Sequence, residues 1–188
     1  MIAFLPEAGE QAGPVPFEVL AERLALDEDQ RPAVHDALVS LREAAADLLS
    51  GPAADGEESP VQCTARHIRD GAIGGPEEAM AHLFAHAARA KPAGSVLTYS
   101  DRFARLELDY RQRVHRLLEP RQRRAYLRLP INSLFDIQVG HEPVLDRLKS
   151  AVLEGRLLNA APRERMSWRE FARVLALTAE EESAARAV

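Results

Sequence analysis

One stretch, residues 99–129, constrains the fold more than any other part of the chain. Its apolar side chains recur at intervals of three and four, the repeat of one face of a long α-helix, and Pro120 then ends that helix and begins a shorter one. A stripe this narrow packs against another helix, within the chain or in a dimer. The predicted packing seam consists of Phe103, Leu106, Tyr110, Val114 and Leu117, one turn beyond Tyr99.

The remaining sequence also favours helices. Aromatic residues are only 5% of the 188 residues, so the core must be built mainly from Leu, Ala and Val, and no segment alternates convincingly as a strand does. We predict a single all-α domain over residues 1–188, in which antiparallel helical hairpins surround a long central helix. Residues 1–16 are expected to form a loose lead-in and residues 51–60 a linker-like loop, and residues 61–75 remain unassigned.

A short motif recurs at three predicted helix starts, with the pattern Leu-x-x-x-Gln/Glu. The copies lie within residues 20–30, 118–122 and 171–181. In the first copy, Asp27 can accept a hydrogen bond from a backbone N–H three residues on, while Gln30 reaches back, which is the capping-box arrangement. Thr178 and Glu181 repeat that arrangement, and Glu119 is a weaker cap assisted by Pro120. Pro32 predicts a shifted start or a kink in the first of these helices.

These copies, LDEDQ (residues 26–30), LEPRQ (118–122) and LTAEE (177–181), resemble the LTxxQ-motif family, which includes the Spy and CpxP envelope-stress proteins and the heavy-metal-resistance sensors. The resemblance extends over residues 17–50, 98–129 and 167–188. Members of the family are small and helical, usually dimeric and usually periplasmic. They act as ATP-independent chaperones or as metal-responsive regulators. The resemblance therefore implies a homodimer and one of these two functions.

Positive charge is concentrated beside the predicted seam. Six arginines, which we call the arginine face, are candidates to bind a protein partner or client: Arg102, Arg105, Arg113, Arg116, Arg121 and Arg124. They could instead be solvated or face the acidic residues of the first sixty positions. Nucleic acid is not an expected partner, because the net charge is -5 and lysines are almost absent.

Two histidine-containing pairs suggest a metal site. His82 and His86 lie four residues apart in a predicted helix, and Cys63 and His67 have the same spacing. Residues at this spacing share one helix face, so the four could hold zinc or nickel. The alternative is that these pairs arise by chance among six histidines and that the protein has no cofactor.

No enzymatic constellation is recognisable, since no candidate acid–base pair comes with a nucleophile or a phosphate-binding loop. We therefore expect a non-enzymatic, chaperone-like stress-response module, with a metal-responsive regulator and a structural or assembly protein as alternatives. The N-terminus has no signal-peptide pattern and no segment reaches transmembrane length, which predicts a cytoplasmic protein; the family resemblance implies the periplasm if the chain is a mature fragment.

Overall fold

The computed structural model describes residues 14–129 and 131–158, and in these residues the fold is all-α, as predicted. Seven α-helices are present: α1 Phe17–Leu24, α2 Gln30–Ser50, α3 Pro60–Arg69, α4 Pro76–Ala87, α5 Tyr99–Leu117, α6 Pro120–Tyr126 and α7 Pro143–Leu158. Two 3₁₀ turns, Ala54–Gly56 and Leu134–Asp136, and two short strands, β1 Val15–Pro16 and β2 Ile137–Gln138, complete the order. The strands pair in parallel, with Val15 opposite Ile137.

The predicted cap of α2 is present. The Asp27 carboxylate accepts from the backbone N–H of Gln30 at 2.7 Å, and the Gln30 side chain accepts from the N–H of Asp27 at 3.2 Å. The helix spans Gln30–Ser50, and the backbone N–H of Arg31 donates to the carbonyl of Asp27 at 3.0 Å. At α6, Gln122 reaches back to the N–H of Glu119 at 2.7 Å. The third copy of the motif, with Thr178 and Glu181, lies outside the described residues.

Helix α3 lies in the stretch that sequence reasoning left unassigned. It begins with a complete capping box, in which Ser59 accepts from the N–H of Gln62 and Gln62 accepts from the N–H of Ser59, both at 3.2 Å. Pro60 occupies the first helical position, where its missing N–H costs nothing. The pattern Ser-Pro-x-Gln was therefore a readable helix start.

The predicted linker at 51–60 contains the 3₁₀ turn Ala54–Gly56. Backbone hydrogen bonds tie it to the segment before α5: Ala54 donates to the carbonyl of Lys91 and Ala93 donates to that of Pro52, both at 2.9 Å. This loop is therefore held in place by its own backbone.

Contacts between Cα atoms divide the chain into two compact units. Of the described residues, the first contains those up to Arg42 together with Glu107–His141, and the second contains Glu43–Leu106 together with those from Glu142 on. The chain passes from one unit to the other within α2, within α5 and directly before α7.

The first unit buries apolar side chains from α1, the start of α2, the end of α5 and the segment around β2. They include Leu20, Leu24, Leu38, Val114, Leu118, Leu134 and Ile137. Arg42 is also buried, at 1% exposure, and its guanidinium donates to the carbonyls of Phe135 and Ile137. A cation can be buried in this way because each carbonyl replaces a lost water contact.

The core of the second unit is formed where α3 packs against α4 and α7. Its buried members include Val61, Ala65, Ile68, Ala79, Leu83, Leu148 and Val152. The Tyr99 ring lies in the same core and its hydroxyl donates to the carbonyl of Gly51 at 2.9 Å. Among the described helices, none has both the length and the apolar character needed to span a membrane.

Candidate functional site

Helices α3 and α4 bring Cys63, His67 and His82 together. Cys63 and His67 lie one turn apart in α3, and the His67 ring stacks at a tilt on that of His82 in α4, with 4.3 Å between ring centroids. One potential ligand atom from each of the three residues lies within 4.8 Å of the others. We call this group the Cys–His cluster. Among the described residues, it is the group of three or more potential metal-binding side chains whose ligand atoms lie this close together.

Hydrogen bonds hold both histidine rings of the cluster. His67 donates from Nδ1 to the backbone carbonyl of Cys63 at 2.8 Å, and His82 Nδ1 is hydrogen-bonded to the buried hydroxyl of Thr64 at 3.0 Å. With its proton on Nδ1, a neutral His67 carries a free lone pair on Nε2. Orientation of a ring through its second nitrogen is the usual arrangement around protein-bound metals.

The protonation states also suit a metal. Burial, assisted by repulsion from His67 and His86, lowers the pKa of His82 and keeps the ring neutral at pH 7. Burial, followed by the nearby Glu58 carboxylate, raises the pKa of the Cys63 thiol. The thiol therefore carries a proton in the absence of metal, and a metal ion would have to displace it.

The distances between the ligand atoms of the three side chains are only slightly longer than those around a bound zinc ion. Ligand atoms around a tetrahedral zinc ion lie roughly 3.3–3.6 Å apart, from the usual zinc–sulfur and zinc–nitrogen distances. In the cluster, one potential ligand atom of each residue lies within 4.8 Å of the others. Side-chain movements of about 1 Å would therefore place the three ligand atoms at three of the four corners of a tetrahedron around the ion.

His86, the fourth predicted ligand, does not lie in the cluster. Its Nε2 donates to the backbone carbonyl of Glu58 at 2.9 Å, which occupies the nitrogen farthest from its own helix. The structure therefore unites three of the four residues. It also adds two that spacing did not indicate: Thr64, which orients His82, and Glu58, which lies beside the cysteine.

All six residues of the arginine face are exposed, Arg102 and Arg105 in the second unit and the other four in the first. Of the predicted seam, Val114 is buried, whereas Phe103, Leu106, Tyr110 and Leu117 are half-buried. In the second unit, Phe103 meets Phe84 edge to face at 5.9 Å between centroids.

The first unit contains a pocket of about 300 Å³ between the end of α5 and α6. It is lined by Arg111, Gln112, His115, Arg116, Tyr126 and Leu127. No carboxylate contributes to this lining, but Arg111 pairs with Glu107 at 3.0 Å, so the positive charge of the pocket comes mainly from Arg116.

The first and second copies of the repeated motif join directly through their glutamines, which we call the glutamine pair. Gln30 Nε2 donates to the side-chain oxygen of Gln122 at 3.0 Å, and Gln122 Nε2 donates back to that of Gln30 at 2.7 Å. Each amide also donates to a helix-end carbonyl: Gln30 to Leu117 at 3.0 Å and Gln122 to Ala25 at 3.1 Å. The pair thereby links the ends of α1 and α5 to the starts of α2 and α6.

Comparisons of the chain with protein-family models, with curated proteins and with solved structures find no match. The resemblance to the LTxxQ-motif family therefore depends on the motif copies themselves.

Proposed function

We propose that this protein is a non-enzymatic helical module that binds one zinc ion at the Cys–His cluster and changes its stability or assembly in response. The observation that supports this function is the convergence of Cys63, His67 and His82 from two helices within 4.8 Å. Two imidazoles and one thiolate are the ligand types that zinc prefers. Nickel, which also accepts such ligands, is the competing ion.

A metal at this position would connect α3 to α4 by bonds much stronger than the packing between them. Because zinc binds the deprotonated thiol in the folded arrangement only, its binding free energy adds to the stability of the second unit. The same connection would make that stability depend on the free zinc concentration. This dependence is the basis of a metal response.

The test is a zinc titration of the reduced, metal-free protein by calorimetry or chelator competition. We expect one zinc per chain, a loss of affinity of at least tenfold in Cys63→Ser and in His82→Gln, and release of a proton on binding. A cobalt(II) complex should show thiolate-to-metal charge transfer that is missing in Cys63→Ser. His115→Gln, which alters a histidine of the first unit outside the cluster, is the matched control.

Two outcomes would contradict the proposal. One is the absence of stoichiometric zinc binding at neutral pH. The other is equal loss of affinity in His115→Gln and His82→Gln, which would mean that His82 is not a specific ligand.

A second candidate function is the binding of a protein partner or client through the arginine face. The observation in its favour is the pocket that Arg116 lines in the first unit, where Arg113, Arg121 and Arg124 are also exposed. The protein should then suppress the aggregation of a model client without ATP. The Arg113→Gln/Arg116→Gln variant and high salt should each weaken this suppression. Sedimentation with and without zinc tests the predicted homodimer in the same samples.

A further inference from the structure

Glu58 is fixed next to the Cys–His cluster by its backbone. It directly precedes Ser59, the capping residue of α3, and its carbonyl accepts from His86 Nε2 in α4 at 2.9 Å. Both helices that supply the cluster therefore determine where Glu58 lies.

The Glu58 side chain is held by a cation that also reaches the cluster. Arg66 Nε donates to both carboxylate oxygens, at 3.1 and 2.9 Å, and its Nη2 lies 3.9 Å from Cys63 Sγ. One guanidinium thus bridges a carboxylate and a thiol.

We propose that Glu58 is the fourth metal ligand and that Arg66 competes with the metal for its carboxylate. This inference builds on the zinc-binding function proposed above. In the metal-free protein the carboxylate pairs with Arg66; with zinc bound it turns to the ion, the Cys63 proton passes to solvent, and Arg66 is released to water.

The net charge of the metal site and the small energy of the ion pair both favour this exchange. Zinc with one thiolate, one carboxylate and two neutral imidazoles has no net charge, whereas a site with three ligands would retain a positive charge beside Arg66. The Arg66 and Glu58 side chains are 43% and 40% exposed, and a pair so accessible to water changes an equilibrium by about fivefold at most. Breaking it therefore weakens zinc binding only slightly.

The test uses the two partners of the ion pair, whose replacement should have opposite effects. Glu58→Gln is expected to weaken zinc binding at least tenfold, because it removes an anionic ligand. Arg66→Met is expected to strengthen it by up to about fivefold, because it frees the carboxylate. Glu57→Gln, which changes the exposed neighbouring carboxylate, is the matched control and should leave the affinity unchanged.

Both Glu58→Gln and Arg66→Met lose the same ion pair, so a purely structural role for that pair would move the zinc affinity of both variants in the same direction. That outcome, or an unchanged affinity in Glu58→Gln, would overturn the inference while leaving zinc binding by the wild-type protein intact. Failure of the wild-type protein to bind zinc would overturn the proposed function as well. Thermal unfolding of each metal-free variant checks that it folds.

Discussion

Replacing Gln122 by alanine removes four hydrogen bonds of the glutamine pair and its surroundings: two to Gln30, one from Glu119 and one to Ala25. Replacing Gln30 also removes four, those to Gln122, Leu117 and Asp27, and two of these are the same bonds. A net hydrogen bond contributes about 0.5–1.5 kcal/mol. Since several of these bonds are exposed, we expect each single variant to lose about 2 kcal/mol of unfolding free energy.

The double variant should lose less than the sum of the two single losses. The singles remove eight bonds in total, but only six different bonds exist, so two are counted twice. The loss in the double variant should be about 1–2 kcal/mol smaller than the sum of the two single losses, which is within the range measured for residues in one network. Urea unfolding followed by circular dichroism measures each value, and the denaturant dependence should remain constant.

Gln112→Ala is the matched control for this cycle. Gln112 is exposed on α5, and no hydrogen bond of its side chain is found among the described residues, so its replacement should leave stability nearly unchanged. Gln122→Glu should also be destabilising, because a carboxylate can still accept from Glu119 but cannot donate to Gln30 or Ala25. Additive losses within about 0.3 kcal/mol would refute the idea that the two motif copies act as one network.

Three further predictions concern single side chains. Tyr126→Phe should raise the unfolding free energy by about 1 kcal/mol in a urea titration, since the buried hydroxyl has no hydrogen-bond partner among the described residues; a loss of stability would show that it has one. Arg42→Met should cost about 2–4 kcal/mol in the same assay, because it removes the guanidinium that donates to the carbonyls of Phe135 and Ile137, and an unchanged midpoint would contradict this. Hydrogen bonds from Thr98 lower the pKa of Asp101 below its usual 3.8. The ionised carboxylate therefore stabilises the fold above pH 3.8, and this stabilisation is lost as the pH falls through the lower pKa of the folded protein. Asp101→Asn should therefore lower the thermal midpoint at pH 7 and have little effect near pH 2, and an equal effect at both would contradict the reasoning.

The helices were largely predictable because their starts and apolar repeats are local properties of the sequence. The capping residues Asp27 and Gln30 and the breaking residue Pro120 identify α2 and α6 without tertiary information. Helix α3 was missed because its buried face includes Cys63 and Thr64, which do not count as strongly apolar. Phe84 lies at helical spacing from other apolar residues but is 43% exposed, because α4 turns its alanines Ala79 and Ala87 inward.

The candidate site was predictable only in part. A spacing of four places Cys63 beside His67, and His82 beside His86, on their respective helix faces. The position of α4 along α3 determines which residue of the first pair contacts which residue of the second. That position depends on the packing of Ala65, Ile68 and Leu83. Glu58 could not be found from spacing at all, because it precedes the helix and is positioned by a hydrogen bond from His86.

The parallel pairing of Val15 with Ile137 has a consequence for the order in which the newly made chain can fold. During translation, residues up to Arg42 are made well before Glu107–His141, which complete their unit. At 5–20 residues per second the delay is roughly 5–20 s. Throughout that time the apolar side chains of α1 lack their final partners, and the guanidinium of Arg42 lacks the carbonyl of Ile137. The apolar face of α1 is therefore buried only after a later part of the same unit has been made.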